Sequence, residues 1–119
     1  MGGYRDLSVW QNARDLAVEI YKVTQAAPFS RDFGLRDQIR RAAVSIASNI
    51  AEGDERGSNK DAVRFLYMAK GSLGELETQI DIAHSIGYLD ISVLEDMNQK
   101  CKAIGHMLGS LIKFRSHNP

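Results

Sequence analysis

The side chains in this sequence whose types and spacing could do chemistry are concentrated in residues 38–53, QIRRAAVSIASNIAEG. Gln38, Arg41, Ser45, Asn49 and Glu52 recur at intervals of three and four, so on a helix they form one polar ridge, climbing about three turns from Arg41 to Glu52. Arg64, Ser72 and Glu75 lie further along the chain at positions that could meet this ridge, with Ser72 one turn before Glu75. Glu52 and Glu75 invite comparison with the carboxylate metal sites of helix bundles. A di-iron site of that kind takes four glutamates and two Glu-x-x-His motifs, and none of His84, His106 and His117 follows a glutamate at that spacing. The sequence contains no phosphate loop, nucleophile motif or cysteine–histidine cluster. The expectation is a protein that is not an enzyme, with no catalytic, metal-binding or cofactor-binding residues. The ridge of Arg41, Ser45, Asn49 and Glu52, with Arg64, Ser72 and Glu75, then reads as a polar network or an interface. An unpaired buried polar group costs about 1–3 kcal/mol, so such a network must satisfy its own members, and it would fix helix register or subunit geometry.

A second chemistry, phosphate binding, rests on the cations. Formal net charge is zero, but residues 71–99 carry Glu75, Glu77, Asp81, Asp90, Glu95 and Asp96 with no Lys or Arg. Residues 100–119 carry Lys100, Lys102, Lys113 and Arg115 with no acid. Arg36, Arg40 and Arg41 stand against a lone Asp37 in residues 36–41. Arg36, Arg40, Lys100, Lys102, Lys113 and Arg115 are therefore the candidate nucleic-acid contacts, although one copy offers few phosphate contacts. The competing reading gives these charges to solvent or to subunit pairing.

These residues must be held by helices. The chain is long enough for one domain over residues 1–119, and Pro28 and Pro119 leave the region between them free of proline. Helices are expected over roughly 8–26, 34–52, 58–87 and 91–115. Val9, Ala13, Leu16, Ile20 and Val23 define the first stripe, behind Ser8 as cap, with Trp10, Ala17 and Tyr21 widening it. Phe29 and Phe33 are expected to anchor the connector. Leu35, Ile39, Ala42 or Ala43, Ile46 and Ile50 define the second stripe, with Ala47 and Ala51 alongside, and Gly53 is read as a helix-ending residue. Ala62, Leu66, Ala69, Leu73, Leu76, Ile80 and Ala83 keep an unbroken four-three rhythm behind a Ser58 cap. Leu94, Met97, Cys101, Ile104, Leu108 and Leu111 repeat that rhythm after Asp90 or Ser92. Short turns between the later helices favour an all-α, antiparallel, up-down-up-down four-helix bundle. The spare aromatics and abundant small residues point to a homo-oligomer.

Arg5, Asp6, Gln11, Asn12, Arg14 and Asp15 interrupt the early apolar residues, so no signal-peptide core forms. No apolar run reaches eighteen residues, and no membrane span is expected. The lone Cys101 fits a reducing compartment. The expectation is a cytoplasmic protein.

The segments DLSVWQNARDLAVEIY at 6–21, QIRRAAVSIASNIAEG at 38–53 and FLYMAKGSLGELETQIDIA at 65–83 resemble the four-helix-bundle family encoded within intervening sequences of 23S ribosomal RNA genes. The middle segment is the most specific, with Arg40, Arg41, Ser45, Asn49, Glu52 and Gly53 matching the family motif position by position. More distantly the chain is similar to the accessory proteins of diversity-generating retroelements. The resemblance implies a closed ring, a homopentamer, and an RNA-binding or protein-adaptor role. The alternative is a purely structural or protein-interaction module that never contacts nucleic acid.

Overall fold

The computed structural model describes residues 3–118. After a 3-10 turn at Gly3–Asp6, helix α1 spans Ser8–Val23. A second 3-10 turn, Phe29–Arg31, leads into α2 at Phe33–Asp54, followed by α3 at Asn59–Ser85 and α4 at Ile91–Ser116. No strand occurs among the described residues. The chain is an all-α four-helix bundle, 47 Å long and about 20 Å across. Helix α2 packs most extensively on α3, α3 packs on α4, and α1 closes the ring of contacts against both α2 and α4.

The apolar stripes meet in one core. Ile20, Ile39, Ile46, Ile50, Leu76, Ile80, Met97, Ile104 and Leu108 are wholly buried, as is every position of the α3 rhythm from Ala62 to Ala83 within a few per cent. Each large side chain so buried contributes about 1.5–3 kcal/mol. Cys101 sits among them as a small apolar residue, its thiol pushed up to about 12 by burial and, secondarily, by the charge of Glu77.

The helix ends follow local chemistry. Asp32 Oδ1 accepts from the Leu35 amide at 3.2 Å, Ser58 Oγ from the Asp61 amide at 3.2 Å, and Asp90 Oδ1 from the Val93 amide at 2.9 Å. Each satisfies one of the donors a helix start leaves open. Helix α3 ends in a Schellman turn: Gly87 takes φ +88°, its amide donates to His84 O, and the Tyr88 amide donates to Ala83 O.

Four local expectations need correction. Ser8 is the first helical residue and not the cap; Leu7 holds that place without a side-chain hydrogen bond. Helix α1 stops at Val23, before the proline acts, where buried Thr24 turns its hydroxyl to Ile20 O at 2.8 Å. Phe29 is buried against the Tyr88 ring, but Phe33 is 64% exposed and carries only the Arg36 guanidinium over its face. Gly53 lies inside α2, with no positive φ. A Cβ there would stand 2.9 Å from Phe65 Cβ and 3.1 Å from Ala62 O, so glycine is required by the close approach of α3.

Candidate functional site

The polar ridge of α2 divides into a bonded part and an open part. Ser45 Oγ and Ser72 Oγ are 2.9 Å apart across the α2–α3 seam. Asn49 Nδ2 donates to Ser45 O at 2.9 Å and to Ser45 Oγ at 3.0 Å. This triad is half-buried to buried, and its members satisfy one another. The other expected members stay outside it. Glu52 pairs with Arg56, just past the end of α2, at 3.1 Å and Arg64 with Asp61 on α3 at 3.7 Å, all with side chains open to solvent. Such pairs contribute a few tenths of a kcal/mol at most. Arg41 and Glu75 are exposed and flank a polar notch between α2 and α3, together with Gln38 and Gln79. Gln79 Oε1 is the buried side-chain polar atom without a hydrogen-bond partner among the described residues.

The six expected phosphate contacts are not gathered in one patch. Arg36 Nε bonds Asp37 and its Nη1 donates to Ser30 O, both at 3.0 Å. Arg40 Nε donates to Thr24 Oγ1 at 2.8 Å while its guanidinium covers the Tyr21 ring at 4.6 Å. Lys100 Nζ lies 2.6 Å from Glu19 and 3.0 Å from Asp96. The hydrogen bond to Glu19 leads in raising the Lys100 pKa, and the bond from Lys100 leads in lowering that of Asp96. Arg115 Nη2 meets Asp54 at 2.6 Å with both side chains more than four-fifths buried, tying the end of α4 to the end of α2. Lys102 and Lys113 stand exposed on α4. At 1.5 Å per residue, Arg36 is about 27 Å along α2 from the Asp54 that holds Arg115, so these two arginines mark opposite ends of the bundle.

His84 Nδ1 lies 2.9 Å from Leu89 O, which commits the ring to the α3–α4 turn although Asp81 precedes it by one helical turn. Among the described residues no three His, Cys, Asp or Glu side chains are placed to hold a metal ion. No helix is long and apolar enough to cross a membrane.

An apolar groove of about 580 Å³ lies between α1 and α2. Trp10, Ala17, Val18, Tyr21, Val44, Ala47 and Ala51 form its floor and walls, Arg14 and Lys22 its rim, and no acid lines it. Sequence reading did not assign it. Its signal was present in the stripes: Trp10, Ala17 and Tyr21 on α1, and Ala47 and Ala51 on α2, make both apolar faces wider than one core contact uses. A smaller groove of about 420 Å³ lies where α1 meets α4, beside Met107 and the exposed ring of Phe114. Exposed apolar side chains elsewhere include Tyr67 and Met68 on α3 and Ile82, Ile86 and Ile91 around the α3–α4 turn. Contiguous apolar surface of this kind marks interaction sites on small proteins.

Comparison with known proteins agrees with the four-helix bundle. A search of curated proteins finds no match. The chain is similar to the crystal structure of a protein of unknown function from the S23 ribosomal protein family of Bacteroides thetaiotaomicron VPI-5482, with a TM-score of 0.82 and 25% sequence identity. That likeness covers 88% of this chain and 95% of the other. Residues 5–110 match one family description from the 3-10 turn to the last turns of α4: the chain belongs to the 23S rRNA-intervening sequence protein family.

Proposed function

We propose that this protein is a non-enzymatic, homo-oligomeric four-helix bundle that closes into a ring of five subunits and works as an assembly or adaptor module in the cytoplasm. The observation that carries this reading is the apolar α1–α2 groove, whose Val18, Tyr21 and Val44 stay 36–42% exposed in the single chain even with the Arg40 guanidinium over the Tyr21 ring. Burying them against another copy would return about 25 cal/mol for each Å² removed from water. The antiparallel, up-down-up-down order is supported by pairs of contacts: Ser45 with Ser72 and Gly53 with Ala62 between α2 and α3, Asn12 with Met107 and Glu19 with Lys100 between α1 and α4. One bundle domain across residues 1–119 accounts for the shared core.

The test is a charge placed in the groove. Val44→Glu is expected to leave helicity unchanged and lower the native mass toward a monomer; a variant that assembles like the parent removes the groove from the interface. A second reading, RNA contact, draws on Lys102 and Lys113, eleven residues apart on one face of α4 and so about 16 Å from each other. A ring would repeat that pair in every subunit. Retention of RNA should then fall steeply with salt and weaken when both lysines are neutralised. Retention insensitive to both leaves the protein-adaptor role alone.

A further inference from the structure

The α1–α2 groove has Lys22 and Arg14 on its rim, Arg14 also bonding its neighbour Asp15 at 3.0 Å, with the Arg40 guanidinium over Tyr21 and no acid in the lining itself; its exposed Val18, Tyr21 and Val44 are 36–42% accessible. The α3–α4 turn presents the opposite combination. Ile82, Ile86 and Ile91 are 45–56% exposed there, on a stretch where residues 71–99 carry six acids and no Lys or Arg. Asp81, Asp90 and Glu95 are exposed around those isoleucines. The turn is also firmly shaped: the Gly87 Schellman bonds, the Asp90 cap and the Tyr88 hydroxyl on Asp32 Oδ2 at 3.0 Å fix its backbone to the bundle end. It is a rigid apolar knob with an acidic collar, and the groove is an apolar slot with a basic rim.

Resting on the oligomeric reading above, we infer that the occupant of the α1–α2 groove is the α3–α4 turn of a second copy of this chain, with Ile86 and Ile91 on the groove floor and Arg14 and Lys22 facing Asp81, Asp90 and Glu95. Knob and groove are different surfaces of one chain, so the contact is head-to-tail. A contact of that type closes into a ring when its rotation returns to the start and runs on as a filament when it does not. Like-charged surfaces facing one another would be disfavoured, which selects this pairing over groove against groove.

Engineered cysteines test the pairing, because native Cys101 is buried. Val44→Cys protein is mixed with Ile86→Cys protein, exchanged, and treated with a mild oxidant. The expected result is one mixed covalent dimer, with neither variant cross-linking to itself. The double variant in one chain should give a ladder that stops at a single closed size. Val18→Cys replaces Val44→Cys if the latter disturbs assembly. Assembled protein that yields no mixed product, or that yields Val44→Cys homodimers, overturns the head-to-tail pairing while leaving oligomerisation standing. A parent protein that is monomeric in the same buffer overturns both.

Discussion

Gly53→Ala and Gly74→Ala are the same chemical change and should move stability in opposite directions. At Gly74 a Cβ meets nothing within 4 Å, on an exposed face of α3. Alanine there gains helix propensity of about 1 kcal/mol relative to glycine. At Gly53 the added carbon would lie 2.9 Å from Phe65 Cβ and 3.1 Å from the Ala62 carbonyl oxygen. Both neighbours are fixed parts of α3, not the far ends of mobile side chains, so the two helices must separate. Overpacking of this kind costs about 1–3 kcal/mol. The propensity gain is small there because Gly53 is next to the last residue of α2. The net expectation is a loss of about 1–2 kcal/mol, or roughly 4–8 °C in Tm for a chain of this size. Urea and thermal unfolding measure it, at one matched protein concentration because assembly makes Tm depend on concentration. Gly53→Ala at or above parental stability would refute the claim that close approach, and not chain termination, requires that glycine.

Three other outcomes follow from single contacts. Ser45→Ala strands the buried Ser72 hydroxyl and should cost about 1–2 kcal/mol, while the Ser45→Ala, Ser72→Ala double variant should cost less than the two singles summed; strict additivity would mean the hydroxyls are not coupled. The Cys101 thiol, raised to about 12, should resist alkylation at pH 8 in native protein and react freely in urea; rapid native labelling would place it outside the core. Asp90 has its pKa lowered, first by the Val93 amide and then by Ser92. Its stabilising effect is therefore present above the unfolded value of about 3.9 and is lost as pH falls through the lower folded value. Asp90→Asn keeps the cap but should flatten this part of the acid limb, and an unchanged acid profile would show that the cap bond does not couple to folding.

The bundle was legible because the information is periodic. Ala62 through Ala83 and Met97 through Leu108 place apolar residues on one side of a helix at every turn, and no strand or loop pattern competes with that rhythm. The site was less legible, since spacing places residues on a face without saying what stands opposite. Ser45 and Ser72 meet because their short side chains reach across a close seam, with Asn49 bonding Ser45 from the next turn of α2, whereas Glu52 is held by Arg56 just past the end of α2 and Arg64 by Asp61 on α3. Arg115 and Lys100 looked like open cations in a run without acids; Asp54 and Glu19, distant in sequence, hold them. Phe33 looked like Phe29, yet only Phe29 faces the core, a distinction set by the 3-10 turn that carries Phe29. The α1–α2 groove needed both helices in place before their spare apolar width became one surface.

The native mass of the parent protein, followed by sedimentation across a concentration series into the high micromolar range, tests the central claim most directly. Groove-mediated assembly predicts one discrete species at a fixed multiple of 13.2 kDa, larger than a dimer. A particle of 13.2 kDa at every concentration would contradict it.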